Sequence, residues 1–464
     1  MSKTFRPWPV DQAHLLPPSV SDFVPAGHVS HFVRDLVREQ LDLSAITGAY
    51  SELRGYPPFD PVMMTALLLY AYSQGVYSSR RMARACEERL DFLAVTAMNR
   101  PDHRTIAKFR RRHLSALSGL FVQVLRLCQK AGMAELGHVA LDGTKIKANA
   151  SKRKAMSYER MLKAEPQLKA EVDAWLAAAE QTDEAEDAAL GEARGDETPD
   201  WVADKTRRIA KIQEAKAALE AEAQAQARAK AKAAADRALL KEQRKQRGRP
   251  SPPKAPPQPK PAAEAAAEPK PTPSPKAQRN FTDPESRIMK GADGFLQGYN
   301  AQAAVDAKAQ IIVAHGLSDC SADSGQLAPM VKAIRANTGR NPAQFSADAG
   351  YCSDANLAAL AKQKINAFIA TGRQRHGQPA AAGGAPSKPG SRIEAMRAKL
   401  RKDGFGSPYR LRKQTVEPVF GQIKHARGFR QFLLRGRAKV ADEWAIICTV
   451  HNLLKLAGNR LAPA

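Results

Sequence analysis

The sequence has no uncharged apolar run of about 18 residues, so a helical membrane span is not expected. Its opening stretch, MSKTFRPWPVDQAHLLPPSV, lacks the apolar core of a secretory signal, so export by that route is not expected either. Cysteine is scarce. The five (Cys86, Cys128, Cys320, Cys352, Cys448) are scattered and form no CxxC pair, which argues against a zinc knuckle or a disulfide framework and fits a reducing compartment. No GxxxxGK[ST] or GxGxxG occurs, so no phosphate-cradling loop is visible. Aromatics are 6% of residues, with no RNP-like platform for single-stranded RNA. Acids are in deficit: 47 Asp and Glu stand against 72 Lys and Arg, a net charge of +25. A surplus of that size favours a polyanionic partner, nucleic acid first and an anionic membrane surface second.

Along its 464 residues the chain changes character several times. Residues 1–131 read as a helical N-terminal domain. Asp60 and Pro61 are suited to start a helix over the apolar run from Met63 to Tyr72, and Ser78 or Ser79 can start the next. A further helical pattern follows Pro101, basic in its first half and apolar in its second, and ends at Gly132. Residues 132–150 carry GHVALDGTKIKANAS, whose alternation predicts a strand. Residues 151–285 interrupt the pattern. An Ala/Lys/Arg/Glu-rich stretch to 248 predicts an exposed helical arm or hairpin with a thin apolar stripe at Ile209, Ile212 and Leu219. Eleven of the 31 prolines then fall between Pro250 and Pro275, which predicts a linker. Residues 286–464 resume an ordered pattern. Two strands are joined near Ala307–Ala309, helix and strand alternate to about 370, and a mainly helical end runs from Tyr409 to Leu456. Trp444, Ile447, Val450 and Leu454 form its core-facing stripe. With the arm removed, this is an α/β plan with an antiparallel start and a parallel finish, one way to build a ribonuclease-H-like mixed sheet.

A basic protein without a nucleotide loop can cut DNA with metal ions held by carboxylates from several elements. Three acids stand out. Asp142 sits mid-strand in VALDGTKIKA, although Asp-Gly also suits a hairpin turn. Asp348 ends a strand in FSADAGY, where it also suits a turn or helix cap. Glu417 is the one acid among nine Lys and Arg between 409 and 439, which simple charge balance also explains. Lys424 lies two helical turns beyond it, on the same face. Asp293, Asp306, Asp319 and Asp323 rank lower because turns and caps explain them. His103 and His113 read as structural or phosphate-contacting rather than as metal ligands, His451 reads as a packed helix residue, and Cys352 has no base beside it.

HVALDGTKIKANAS, SADAGYCS and VEPVFGQIKHARGFRQFLLRG resemble the three catalytic blocks of DDE transposases of bacterial insertion sequences, in particular the IS1182-like group within the IS4/IS5-type assemblage. The block from FDPVMMTALLLY to TIAKFRRRH resembles that group's N-terminal domain. The resemblance covers about residues 15–155 and 286–456. It implies a ribonuclease-H-like catalytic domain in which Asp142, Asp348 and Glu417 hold two Mg²⁺ (or Mn²⁺) ions. It implies hydrolysis of a phosphodiester at an element end, then attack of the freed 3′-OH on target DNA. It also suggests a Tyr–Arg–Glu–Lys signature for holding phosphates: Tyr409, Arg412 or Lys413, Glu417 and Lys424. End recognition falls to Arg104, Lys108, Arg111 and Arg112, or these make only phosphate contacts. A homodimer on paired double-stranded ends, in the cytoplasm and on the nucleoid when bound, follows by the same resemblance. A catalytically inactive or domesticated DNA-binding protein, an architectural DNA-coating protein and a ribonuclease-H-like nuclease are the alternatives.

Overall fold

The computed structural model describes residues 19–50, 57–190, 200–246, 271–291, 294–372, 383–384 and 389–461. The chain forms two compact units, Met1–Asn149 with Ile288–Ala464, and Ala150–Arg287.

The larger unit opens with α1 (Val29–Glu39), α2 (Ser44–Thr47), α3 (Pro61–Ser73), α4 (Ser79–Glu88), α5 (Leu90–Thr96), α6 (His103–Arg112) and α7 (Leu114–Lys130). The Asp60 carboxylate accepts the Val62 and Met63 N–H groups at 2.7 and 3.4 Å, and Pro61 occupies the first turn of α3, as the sequence predicts. Every residue of α3 from Met64 to Ser73 is buried, which accounts for its apolar character on all sides. Ser78 stands at the start of α4 without a side-chain cap.

Two helices expected to be continuous are broken. Arg89 is extended (φ −117°, ψ 123°) between α4 and α5, its guanidinium paired with Asp91. Buried His113 separates α6 from α7 and meets the Tyr50 hydroxyl at 3.0 Å. In each case the kink lets two apolar stripes of different phase face one core.

After α7 come β1 (His138–Lys147), β2 (Ala155–Ser157), α8 (Tyr158–Leu190), α9 (Asp200–Gln246), β3 (Gln278–Asn280), β4 (Arg287–Gly291), β5 (Gly294–Asp306) and β6 (Ile311–Ser318). The chain ends with α10 (Leu327–Thr338), β7 (Gln344–Ala347), α11 (Asp354–Lys362), β8 (Asn366–Ile369), α12 (Arg392–Asp403), α13 (Leu411–Gly421) and α14 (Arg437–Leu461).

The main sheet is mixed, in the order β4-β5-β1-β7-β8, with β6 also paired to β5. β1, β5 and β6 pair antiparallel, whereas β1, β7 and β8 pair parallel. The antiparallel start and parallel finish read from the sequence are therefore present. α7 and α14 pack together beside β6, and Trp444, Ile447 and Val450 are buried. Leu454, expected in that stripe, is only half-buried, and Leu453 and Leu456 fill the core instead. Helix α12 falls between residue 370 and Tyr409, where the sequence reading places no element; Ser391 caps it, and Met396 and Leu400 anchor it.

In the smaller unit α8 and α9 run antiparallel, tied by Glu165–Lys216 (2.9 Å) and Glu171–Lys205 (2.6 Å). Tyr158, Met161, Ile212, Ala215 and Leu219 form its core, beside the β2–β3 pair. Of the expected stripe, Ile212 and Leu219 are buried and Ile209 is half-buried. The predicted break near 182–200 overlaps α8, which stays helical to Leu190; residues 191–199, and most of the linker at 250–275, lie outside the described residues. Among the described residues no helix is long and apolar enough to cross a membrane.

Candidate active site

Asp142 lies in the middle of the central strand, opposite Ala303 of β5. Gly143 is not a turn residue. It faces Gln302, and a Cβ there would meet Gln302 Nε2 at 2.3 Å and Asn300 Oδ1 at 2.8 Å. Glycine is required by this close approach rather than by a hairpin. On the other side of β1, Leu141 pairs with Ala347 in parallel, so the next residues in register are Asp142 and Asp348. Asp348 does cap a short turn, accepting the Gly350 N–H at 2.9 Å.

Arg412 of α13 joins these strands to Glu417. Its Nη1 donates to Asp142 Oδ2 at 2.7 Å, and its Nη2 lies 3.4 Å from Glu417 Oε1. The Arg412 side chain is 10% exposed, that of Asp142 19% and that of Glu417 53%. Burial pushes the Asp142 carboxyl up to about 6; Arg412 opposes that rise and neighbouring Asp348 adds to it. Asp348 is raised too, chiefly by burial, with Arg412 opposing. Half-buried Tyr409 has its ring 6.0 Å from the Arg412 guanidinium carbon. Of the two basic residues left open by the spacing, Arg412 faces the acids and Lys413 is exposed. Arg412 is thus a buried ion-pair partner in this structure.

Pro418 follows Glu417 inside α13 and cannot donate to Gln414 O, four residues back. The Gln310 side chain donates to that carbonyl at 3.0 Å instead. The helix then widens into a π-turn, Gln422–Ala426, which carries Lys424 to the Lys145 carbonyl at 2.9 Å.

Asp323, ranked low as a cap, belongs beside this site. Its Oδ1 accepts from Asn300 (2.6 Å), Gln302 (2.9 Å) and Lys145 (3.4 Å). A Cβ on Gly350 would meet Asp348 Oδ1 at 3.1 Å and Asp323 Oδ2 at 3.5 Å. Tyr351 completes the network through Gln302. Asp306 does serve a turn, accepting the Leu136 and Lys308 N–H groups, and Asp319 pairs with Arg437. Asp293 lies outside the described residues. His451, its pKa pushed down to about 3 by burial, is packed against the Gln310 carbonyl as a structural residue.

On α6, Arg104, Lys108 and Arg111 are exposed on one face, and exposed Arg112 is held over the Tyr50 ring with a bond to Ala49 O. Arg110, in the same basic run, is buried and donates to Tyr77 O.

Asp142, Asp348, Asp323 and Glu417 supply carboxylate oxygens, the donor type that hard divalent cations take. Among the described residues no three acids, histidines or cysteines close on one point, since Arg412 stands between Asp142 and Glu417. The donor chemistry fits a divalent metal.

Two family models match the sequence: a transposase domain (DUF772) over residues 18–112, and a transposase DDE domain over residues 389–457. No curated protein and no solved structure matches. The first match spans α1 to α6; the second holds Tyr409, Arg412, Glu417 and Lys424. These matches define an enzyme that cleaves DNA and transfers strands, with dependence on a divalent metal. More particularly, the two matches support a DDE transposase of an insertion sequence, and their pairing is consistent with the IS1182 family.

Proposed function

We propose that Asp142, Asp348 and Glu417 are the carboxylates that hold two Mg²⁺ or Mn²⁺ ions, in a ribonuclease-H-like catalytic fold. The observation that carries this reading is Arg412, whose one guanidinium touches Asp142 on β1 and Glu417 on α13, 275 positions apart, while its charge acts on Asp348. The sheet supports the fold assignment: counted without β4 and the insertion, its strands stand in the order third, second, first, fourth, fifth, with the second alone antiparallel to the first among the first's neighbours. When bound there, divalent cations supply Lewis acidity to a phosphodiester and to the oxygen attacking it.

The side chains of this chain do the positioning. Arg412 holds Asp142 and Glu417 at a fixed separation, and Tyr409 packs against the same guanidinium. Lys424, tied to the β1 backbone, presents its ammonium to a phosphate. Water attacks the phosphodiester at the element end and releases a 3′-OH, which then displaces a 3′-oxygen from target phosphate. Arg104, Lys108 and Arg111 lie on one helix face suited to a DNA groove or its phosphates, with Arg112 at its margin. A homodimer acting on two ends, on the nucleoid of the bacterial cytoplasm, completes the proposal.

The test is metal-dependent cleavage of DNA carrying the element's own ends. Asp142→Ala, Asp348→Ala and Glu417→Ala are each expected to abolish cutting while retaining DNA binding. Cleavage at wild-type rate by any of the three removes that residue from the site.

A further inference from the structure

The basic surplus is not concentrated in the Ala/Lys-rich arm. Residues 150–287 hold 27 Lys and Arg against 23 Asp and Glu, so +21 of the net +25 belongs to the larger unit. One stretch of it follows Glu417, where residues 418–439 hold six Lys and Arg and no acid. After the π-turn the chain lays residues 430–432 along the C-terminal end of β1. Lys147 N–H donates to Arg430 O (3.3 Å), Phe432 N–H donates to Lys147 O (2.9 Å), and Lys147 bridges Gln431 in parallel. Buried Phe429 and Phe432 anchor this added strand.

The anchoring leaves Lys147, Arg430 and Arg435 exposed. Arg430 Nε donates to Lys424 O at 3.2 Å, and its Nη2 lies 3.1 Å from His425 Nδ1. Arg435 Nε donates to Asn149 O at 2.9 Å. Both guanidinium groups are therefore fixed through Nε by main-chain oxygens rather than by carboxylates. Among the described residues none of the three cations has an acid within ion-pair distance, whereas Arg437 beside them is held by Asp319. Two oriented forks and an ammonium without acidic partners form a surface with unsatisfied demand for anions.

We propose that Lys147, Arg430 and Arg435 form a track for the phosphates of double-stranded DNA leading away from the Asp142–Glu417 site. The five-residue advance from Asp142 to Lys147 along β1 covers about 17 Å, or about five base-pair rises at roughly 3.4 Å each. The track deepens the proposed function, because its direction is taken from the triad. Its contacts are to backbone phosphate and carry no base preference.

The test uses the full chain in EDTA, where it binds without cutting, with a duplex carrying the element end and a duplex of unrelated sequence. Dissociation constants are measured across a potassium chloride series for wild type, Arg430→Gln with Arg435→Gln, Lys147→Ala, and Lys362→Ala as a remote exposed control. Glutamine keeps an amide donor for the two carbonyls, so the backbone path persists, and Lys147→Ala disturbs no side-chain bond. The slope of log affinity against log salt is expected to fall by about two in the double variant and about one in Lys147→Ala, equally on both duplexes. Lys362→Ala leaves it unchanged. An unchanged slope in either track variant overturns the proposal, as does a loss confined to the element end. Cleavage retained by Asp142→Ala would instead sink the triad without altering these slopes.

Discussion

Arg412 shows how one side chain sets the character of the site. Removing it leaves Asp142 buried without its cation, so Arg412→Ala should destabilise the metal-free chain by about 3 kcal/mol. Lys413→Ala, on the exposed side, should stay within about 0.5 kcal/mol. Urea unfolding in EDTA measures both, and equal effects would refute the distinction. Glu443 makes a second residue-scale prediction. It is fully buried on α14, accepts the Leu433 and Leu434 N–H groups, and is pushed up by burial to about 7. A carboxyl raised in the folded state gives stability that is complete below its unfolded pKa, near 4.5, and is lost as pH rises through the folded value. Wild type should therefore lose about 1.4 kcal/mol between pH 6 and 8 from this group. Glu443→Gln should flatten that fall, and an unaltered pH profile of melting temperature would count against the assignment. The proposed carboxylates Asp142, Asp348 and Glu417 stand out in the sequence because each is an acid in apolar or basic surroundings. Asp323 does not, because its partners Asn300 and Gln302 come from β5 and Lys145 from β1, contacts that only tertiary structure makes.

Among the elements, α13 carries an interior proline and stays helical because Gln310, outside the helix, serves the carbonyl that Pro418 leaves without a donor. Pro418→Ala restores the helical N–H and makes that outside donor redundant. Gln310→Ala should thus be more harmful in wild type than in the Pro418→Ala background, with a coupling of about 0.5–1 kcal/mol in a double-mutant cycle. A coupling of zero would mean that the Gln310 bond contributes nothing. β1, β5, β6, β7 and β8 were legible because period-two alternation and the acid-ending segment FSADAGY mark them, whereas the short β2, β3 and β4 were not. Nor were the breaks at Arg89 and His113, since helix propensity runs straight through both. What divides the helices is the phase of the buried stripes and the partners of Asp91 and His113, neither of which is local.

At the scale of the whole molecule, the order β4-β5-β1 explains how a long insertion sits inside one fold. The insertion leaves at Asn149, just after β1, and returns at Ile288 in β4. Ala148 N–H donates to Gln297 O, so the end of β1 is fixed on β5, and β4 is fixed on the same strand. Two strand spacings separate β1 from β4, about 10 Å, which a linker of about six residues spans with slack. The larger unit also keeps its own core, and the smaller has another around Met161 and Ile212. Replacing residues 150–287 by a Gly/Ser linker should therefore leave a chain that unfolds cooperatively, with a melting temperature within about 5 °C of wild type. Because +21 of the +25 stays with that chain, its salt-dependent affinity for DNA should persist as well. Loss of the cooperative transition would mean that the sheet needs the insertion to fold. A cooperative transition with DNA affinity collapsed would place the binding charge in the arm, against the partition of charge along the sequence.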